Sequence, residues 1–161
     1  MRHSLLIALA AFAWFGGCRQ GTSTGTFSVV QGKKDGHPLF ATVDSGLLDR
    51  SIQSTFPWFL SISTTLKHPT EDGLTTNQEA SELNDWEDSL QKSFAGQCRF
   101  VYVGRVTWNG KTQLLYYLDK PDCVGPKLKK FADSNPEPVF DFKCERDEHW
   151  ERVAMYLQKS Q

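Results

Sequence analysis

The chain has 161 residues, a formal net charge of −1 and 39% hydrophobic residues. These values fit one globular domain with some additional sequence, and the near-neutral charge gives no electrostatic reason to expect a nucleic-acid partner. The sequence contains no glycine-rich phosphate loop, dinucleotide fingerprint or Cys-x-x-Cys pair. It therefore predicts neither a cofactor nor a metal site.

The first 17 residues have the composition of a signal peptide. A short cationic start precedes an apolar run from Leu5 to Phe15, which is too short to cross a bilayer. The run ends at Gly16-Gly17-Cys18, which resembles the bacterial lipobox, where small residues precede a cysteine that receives a lipid. We predict a signal peptide over residues 1–17 and lipid attachment at Cys18. The alternative is an ordinary secretory signal followed by a chance cysteine.

The lipid would hold the chain at a membrane of the bacterial cell envelope. Residues 18–25 contain the modified cysteine and a flexible tether of Gly, Ser and Thr, and residues 26–161 form a single domain. Retention at the inner membrane is usually signalled by aspartate after the cysteine, whereas this chain has Arg19. Resemblance to that sorting rule favours the periplasmic side of the outer membrane.

The domain begins with strand-like segments. Two short β-prone runs, Phe27–Val30 and Leu39–Val43, flank Asp35-Gly36 and predict a hairpin. A further strand is predicted over Trp58–Leu66 because its apolar residues alternate with polar ones.

A helix follows from Thr76, which opens a Thr-x-x-Glu capping box with Glu79. One stripe of this helix is apolar, at spacings of three and four residues. Its members are Ala80, Leu83, Trp86, Leu90 and Phe94.

The stretch Phe100–Asp119 predicts a central hairpin that turns at Asn109-Gly110. This dipeptide tolerates the positive φ angles of a two-residue type I′ turn, so Trp108 should face Lys111 and fix the register. In that register Tyr102, Trp108 and Tyr117 share one face of the hairpin.

The remaining elements complete an α+β domain. A shorter helix is predicted from Pro121 to about Ala132, then a strand over Val139–Cys144, then a terminal helix capped by Asp147. From Trp58 onward the order is strand, helix, strand, strand, helix, strand. This order predicts a ferredoxin-like split βαβ antiparallel sheet with two helices on one face, extended by the N-terminal β-hairpin and the C-terminal helix.

Three cysteines follow Cys18. The predicted register places Cys98 opposite Pro121, two residues from Cys123, whereas Cys144 should lie two strands from the third strand of the split βαβ unit, roughly 10 Å away. We predict a Cys98–Cys123 disulfide in an oxidising envelope and a buried thiol at Cys144.

Two hypotheses for function remain open. Tyr102, Trp108 and Tyr117 would form an aromatic platform that binds a protein or glycan, unless the first hairpin or the last helix covers them. Arg105 could add a bidentate bond to a carboxylate. The competing hypothesis is an enzyme with a site assembled from His68, Glu71 and Arg105, and a purely structural envelope role is a third.

Several segments together resemble a bacterial family known as domain of unknown function 695. The resemblance covers about residues 27 to 157 and rests on the order and spacing of short motifs. These are Lys67-His68-Pro69, Asp72-Gly73-Leu74, Glu79-Ala80, Trp86 to Leu90, Tyr102 to Thr107, Asn109-Gly110, Tyr116-Tyr117, Asp147 to Trp150 and Tyr156-Leu157. The family brings no established reaction. The leading hypothesis is therefore a non-enzymatic, membrane-anchored binding or scaffolding domain.

Overall fold

The computed structural model describes residues 25–48 and 50–159. The predicted signal peptide, the lipid attachment site at Cys18 and nearly all of the tether lie outside these residues. The strands are β1 (Phe27–Lys34), β2 (His37–Asp44), β3 (Trp58–Thr65), β4 (Phe100–Trp108), β5 (Lys111–Leu118) and β6 (Phe140–Arg146). The helices are α1 (Arg50–Thr55), α2 (Asn77–Phe94), α3 (Gly125–Ser134) and α4 (Glu151–Lys159), and a single 3₁₀ turn covers Ser45–Leu48.

All six strands form one antiparallel sheet in the order β1-β2-β4-β5-β3-β6. The last four of these positions have the neighbour order of the split βαβ plan, and the first hairpin extends the sheet beside β4. The predicted α+β fold class is confirmed.

Both hairpins turn where the sequence predicts. Asp35 and Gly36 have φ angles of 53° and 81°, and Asn109 and Gly110 have φ angles of 46° and 71°. Consecutive positive φ angles are the requirement of a type I′ turn, and its twist matches that of the flanking strands.

The sheet separates two apolar cores. The core under α2 and α3 includes Leu60, Ile62, Leu83, Leu90, Phe94, Leu114, Tyr116 and Leu128. The core on the opposite side, under α4 and the segment around α1, includes Ala41, Val43, Leu47, Phe59, Val101, Tyr117, Trp150, Val153 and Leu157. Because both faces of its centre are covered, the sheet acts as the middle layer of the domain.

The start of α2 depends on a half-formed capping box. The Thr76 hydroxyl accepts a hydrogen bond from the Glu79 amide at 3.3 Å, as the motif predicts. The Glu79 carboxylate accepts instead from the backbone amides of Lys67 and His68, at 2.5 and 3.2 Å. Glu79 therefore fixes the loop before the helix.

Three helical features differ from the sequence prediction. α3 begins at Gly125 instead of Pro121, with Pro126 in its first turn, where a missing N–H leaves no intrahelical bond unmade. The 3₁₀ turn and α1 are not predicted. They are short, and only Ile52 of α1 is a partly buried apolar residue packed on the core, so neither has a visible periodicity.

Candidate functional site

The central hairpin contains a β-bulge that changes which side chains share a face. From Trp108 back to Gly104 the pairing with β5 follows the predicted register, and Trp108 pairs with Lys111. Between Gly104 and Tyr102 the register shifts by one residue, so Tyr102 pairs with Tyr116 instead of Tyr117. The prediction that Tyr102 shares a face with Trp108 and Tyr117 is therefore wrong, because an inserted residue reverses the side-chain alternation beyond it.

The segment that leads into the C-terminal helix covers Tyr117. Its ring stacks on Trp150 with centroids 4.0 Å apart, and the residue is fully buried. Its hydroxyl donates to the Asp147 carboxylate at 2.5 Å. Burial raises the pKa of the Tyr117 hydroxyl well above its usual range, and the Asp147 bond adds to the shift. Tyr117 is therefore covered from the side of the last helix and is not available to an aromatic platform.

Trp108 is half-buried at the end of β4. Lys34 of the first hairpin lies over its ring, with the ammonium 3.6 Å from the ring centroid. Trp108 also packs against the core beneath α4. Its exposed surface is thus partly occupied by the first hairpin, and the aromatic platform does not form.

Arg105 lies beneath α2 in a polar cluster. Its Nη1 donates to the Asn84 side-chain oxygen at 2.8 Å and lies 3.5 Å from the Glu87 carboxylate. The Glu87 side chain is 11% exposed, and burial raises its pKa above the usual range although Tyr102 and Arg105 oppose the shift. Arg105 does contact a carboxylate, as proposed, but through a single nitrogen and within the chain.

The three residues of the enzyme hypothesis line neither the cleft between α1 and α4 nor the two clefts near Glu137. His68 and Glu71 are exposed residues of the loop before α2, whereas Arg105 is half-buried under that helix. Within the described ranges, no three His, Cys, Asp or Glu side chains lie close enough together to hold a metal ion.

The pair Cys98 and Cys123 is arranged as predicted from the register, whereas Cys144 is less buried than predicted. Cys98 and Cys123 lie at disulfide distance, with Cα atoms 5.6 Å apart. Cys144 is a free, half-buried thiol on β6. Burial raises its pKa, and the nearby carboxylates of Asp122 and Glu145 raise it further.

Two regions of the surface contain clefts. One cleft of about 920 Å³ lies between α1 and α4 and has polar side chains such as Gln53, His149 and Gln158 around an apolar floor that includes Trp150. A second region near Glu137-Pro138 holds two smaller clefts of about 470 and 190 Å³, and Lys67 and Glu137 form an ion pair there.

A different surface exposes apolar side chains on the sheet itself. Phe27 and Val29 of β1 are 44% and 56% exposed, and Phe40 of β2 is 37% exposed. Strand pairing places Val29 beside Thr42, and Phe40 beside Gln31, so these three apolar residues share one side of the hairpin. We call this surface, defined by Phe27, Val29 and Phe40, the open face. Thr42 pairs with Arg105, so the open face lies on the same side of the sheet as α2.

The open face was not recognised from the sequence, although a signal for it exists. The opposite side of the same hairpin is buried, through Val30, Leu39, Ala41 and Val43. When a hairpin at the edge of a sheet has apolar residues on both sides, the side that the core does not bury is expected to contact another molecule or segment.

Comparison with known proteins gives a family and no more. The model of the family of unknown function DUF695 matches residues 27–158, and the chain belongs to this family. No curated protein and no solved structure matches the chain significantly. In the part of the chain that the structure describes, no helix combines the length and apolar character needed to span a membrane.

Proposed function

We propose that this protein is a lipid-anchored component of the bacterial cell envelope whose domain works by binding another envelope molecule, not by catalysis. The anchor would be a lipid on Cys18, exposed after removal of residues 1–17, and the domain would face the periplasm from the outer membrane. The sequence support is the apolar run that ends at Gly16-Gly17-Cys18.

The cysteine arrangement supports an oxidising compartment. Cys98 and Cys123 lie at disulfide distance although they are 25 positions apart in the sequence. Disulfides persist in extracytoplasmic compartments and are rare in the reducing cytosol. A disulfide between these two cysteines therefore fits a small domain in the cell envelope.

The open face is the observation that most favours a binding role. Of the six exposed large apolar side chains among the described residues, three belong to it, while the others are Val139, Phe142 and Met155. Clustered apolar side chains on a sheet surface indicate a contact with another molecule, whereas isolated ones need no explanation. A protein partner fits best, because an apolar surface with a polar surround is the usual anatomy of such contacts.

The anchor is tested by detergent phase partitioning of the full-length protein and of Cys18→Ser. We expect the wild type in the detergent phase and Cys18→Ser in the aqueous phase, because the lipid supplies the membrane affinity. Cys144→Ser is the matched control and should partition as the wild type does. Equal partitioning of Cys18→Ser and the wild type would overturn the anchor.

The binding role is tested by crosslinking the native protein in cells and identifying its partners by mass spectrometry. We expect a defined partner that is enriched over bulk envelope proteins. Recovery of bulk proteins alone would count against binding.

A further inference from the structure

Among the described residues, helices cover only part of the side of the sheet that carries α2. α2 and α3 pack on the core formed by β3 to β6, whereas β1 and β2 carry Phe27, Val29 and Phe40 exposed on this side. Two strands span about 10 Å across a sheet, and an α-helix with its side chains is about 10–12 Å wide. The uncovered strip therefore has the width of one helix lying beside α2.

The floor of this strip is continuous with buried aromatic groups. The ring of Phe27 lies 6.1 Å from that of half-buried Tyr102, which in turn lies 5.2 Å from that of Tyr116. An apolar side chain placed over Phe27 and Val29 would thus extend the existing core under α2. The other side of the strip's edge strand is already packed, through Val30.

The wall of the strip is the flank of α2 that faces the hairpin. Asn84 and Glu87 lie on this flank, because both contact Arg105 of β4. Asp88 follows Asn84 by one helical turn and is exposed. Asp88 forms no ion pair with another described residue.

Positive charges lie at the ends of the strip. Lys33 belongs to the turn end of β1, and Lys92 lies one helical turn beyond Asp88. The Arg105 guanidinium is already paired with Glu87. The middle of the wall therefore presents the exposed carboxylate of Asp88 above an apolar floor.

We propose that the open face binds an amphipathic α-helix of a partner protein, with its apolar side on Phe27, Val29 and Phe40 and a lysine or arginine on the flank that meets Asp88. This inference rests on the proposed binding function and names the surface and the chemistry of the partner. The helix would complete the layer that α2 and α3 begin, and its basic flank would select it over other apolar segments.

The test uses the full-length protein in its native cells, with p-benzoylphenylalanine introduced at Val29. The matched position is Met155 on α4, which is 48% exposed and belongs to the opposite side of the sheet. We expect a protein adduct from position 29 whose crosslinked peptide has apolar residues at spacings of three and four with basic residues beside them. Position 155 should give little or none of this adduct.

Charge reversal provides the second readout. With the crosslinker at position 29, Asp88→Lys should lower the yield of the adduct about fivefold, since it replaces one attractive contact at the rim with a repulsive one. Glu82→Lys makes the same change on the flank of α2 that lines the cleft near Glu137, and it should leave the yield unchanged.

Several results would overturn the inference. A lipid adduct at position 29 would assign the open face to the membrane, and an adduct with the same protein would assign it to a second copy. A crosslinked peptide with alternating apolar residues would indicate strand addition to β1. Partner adducts at position 155 but not at position 29 would refute the inference and leave the binding function standing, whereas adducts at neither position would count against both.

Discussion

At Gly104 the backbone of β4 lies close against that of its neighbour β2. Its φ angle of 154° belongs to the region that favours glycine. A Cβ at this position would collide with the carbonyl oxygen of Thr42 and would lie 2.8 Å from the Cα of Val43. Both obstacles are backbone atoms of a buried strand pair, so they cannot move aside like a flexible side chain.

Gly104→Ala should therefore lower the free energy of unfolding by about 3 kcal/mol or more, as strain and overpacking combine. Gly32→Ala is the control within β1, where an added Cβ meets nothing within 4 Å. That variant should stay within about 0.5 kcal/mol of the wild type. Chemical denaturation measures the free energy of unfolding of both variants. Equal values would show that the backbones of β4 and β2 leave room for a Cβ at Gly104.

Glu87 makes the stability of the domain depend on pH. Its pKa is raised in the folded state, chiefly by burial, from an ordinary value of 4.5. The folded protein thus holds this proton more tightly than the unfolded chain does. The stabilising contribution is complete below pH 4.5 and is lost as the pH rises from 4.5 through the folded-state pKa.

Glu87→Gln removes the titrating group, so the variant lacks the pH-dependent contribution of Glu87 to stability. The stability of the variant relative to the wild type should therefore increase as the pH rises from 4.5 towards neutrality. Glu82→Gln, at an exposed position on the same helix, should show no such trend. Denaturation at a series of pH values gives the comparison, and a relative stability of Glu87→Gln that is flat or falls with pH would contradict it.

The sequence-based prediction failed in the alternation of side chains along β4, which decides the face on which Tyr102 lies. An isolated glycine in a strand pattern is a known sign of a bulge, and Gly104 was available as that sign. The prediction instead continued strict pairing from the Asn109-Gly110 turn. Pairing remained correct as far as Gly104, and beyond it Tyr102 moved to the α2 side. The disulfide prediction survived because a shift of one residue leaves Cys98 near Cys123.

At the scale of elements, Asp147 joins α4 to the sheet. Its carboxylate accepts from the backbone amides of Glu151 and Arg152, each at 3.0 Å, which satisfies free N–H groups at the start of the helix. The same carboxylate accepts the hydroxyl of buried Tyr117 in β5. One side chain therefore caps the helix and ties its first turn to β5.

Asp147→Ala should lower the free energy of unfolding by about 2–3 kcal/mol, because a cap is lost and a buried hydroxyl loses its acceptor. In Tyr117→Phe the hydroxyl is absent, so the same Asp147→Ala change should cost less in that background. Glu148→Ala, at an exposed neighbour, should be nearly neutral. Full additivity of the Asp147 and Tyr117 changes would show that the two groups do not interact.

Most elements could be predicted because their signals are local. The Asn-Gly and Asp-Gly turns, the capping residue Thr76 and the apolar stripe of α2 each depend on a few neighbouring residues. The open face could not be predicted in the same way, since it is defined by what fails to cover β1 and β2. Whether β1 and β2 are covered depends on how far the layer of α2 and α3 extends across the sheet. The edge of that layer lies where Asn84 of α2 contacts Arg105 of β4, and this contact exists only in the folded chain.

At the scale of the molecule, one sheet is shared by two cores. β5 contributes Tyr116 and Leu114 to the core under α2, and Tyr117 and Leu115 to the core under α4. Neither helical layer can lose its packing without exposing the opposite face of the same strands. The domain should therefore unfold as one cooperative unit, as most single domains of this size do.

Two matched substitutions test this coupling. Leu90→Ala empties part of the core under α2, and Leu157→Ala does the same under α4. Each should lower the free energy of unfolding by about 2–5 kcal/mol. In both variants tryptophan fluorescence and far-UV circular dichroism should give one coincident transition, because Trp86 and Trp150 report from opposite sides of a shared sheet. A variant in which one signal is lost before the other would show that the two layers unfold separately.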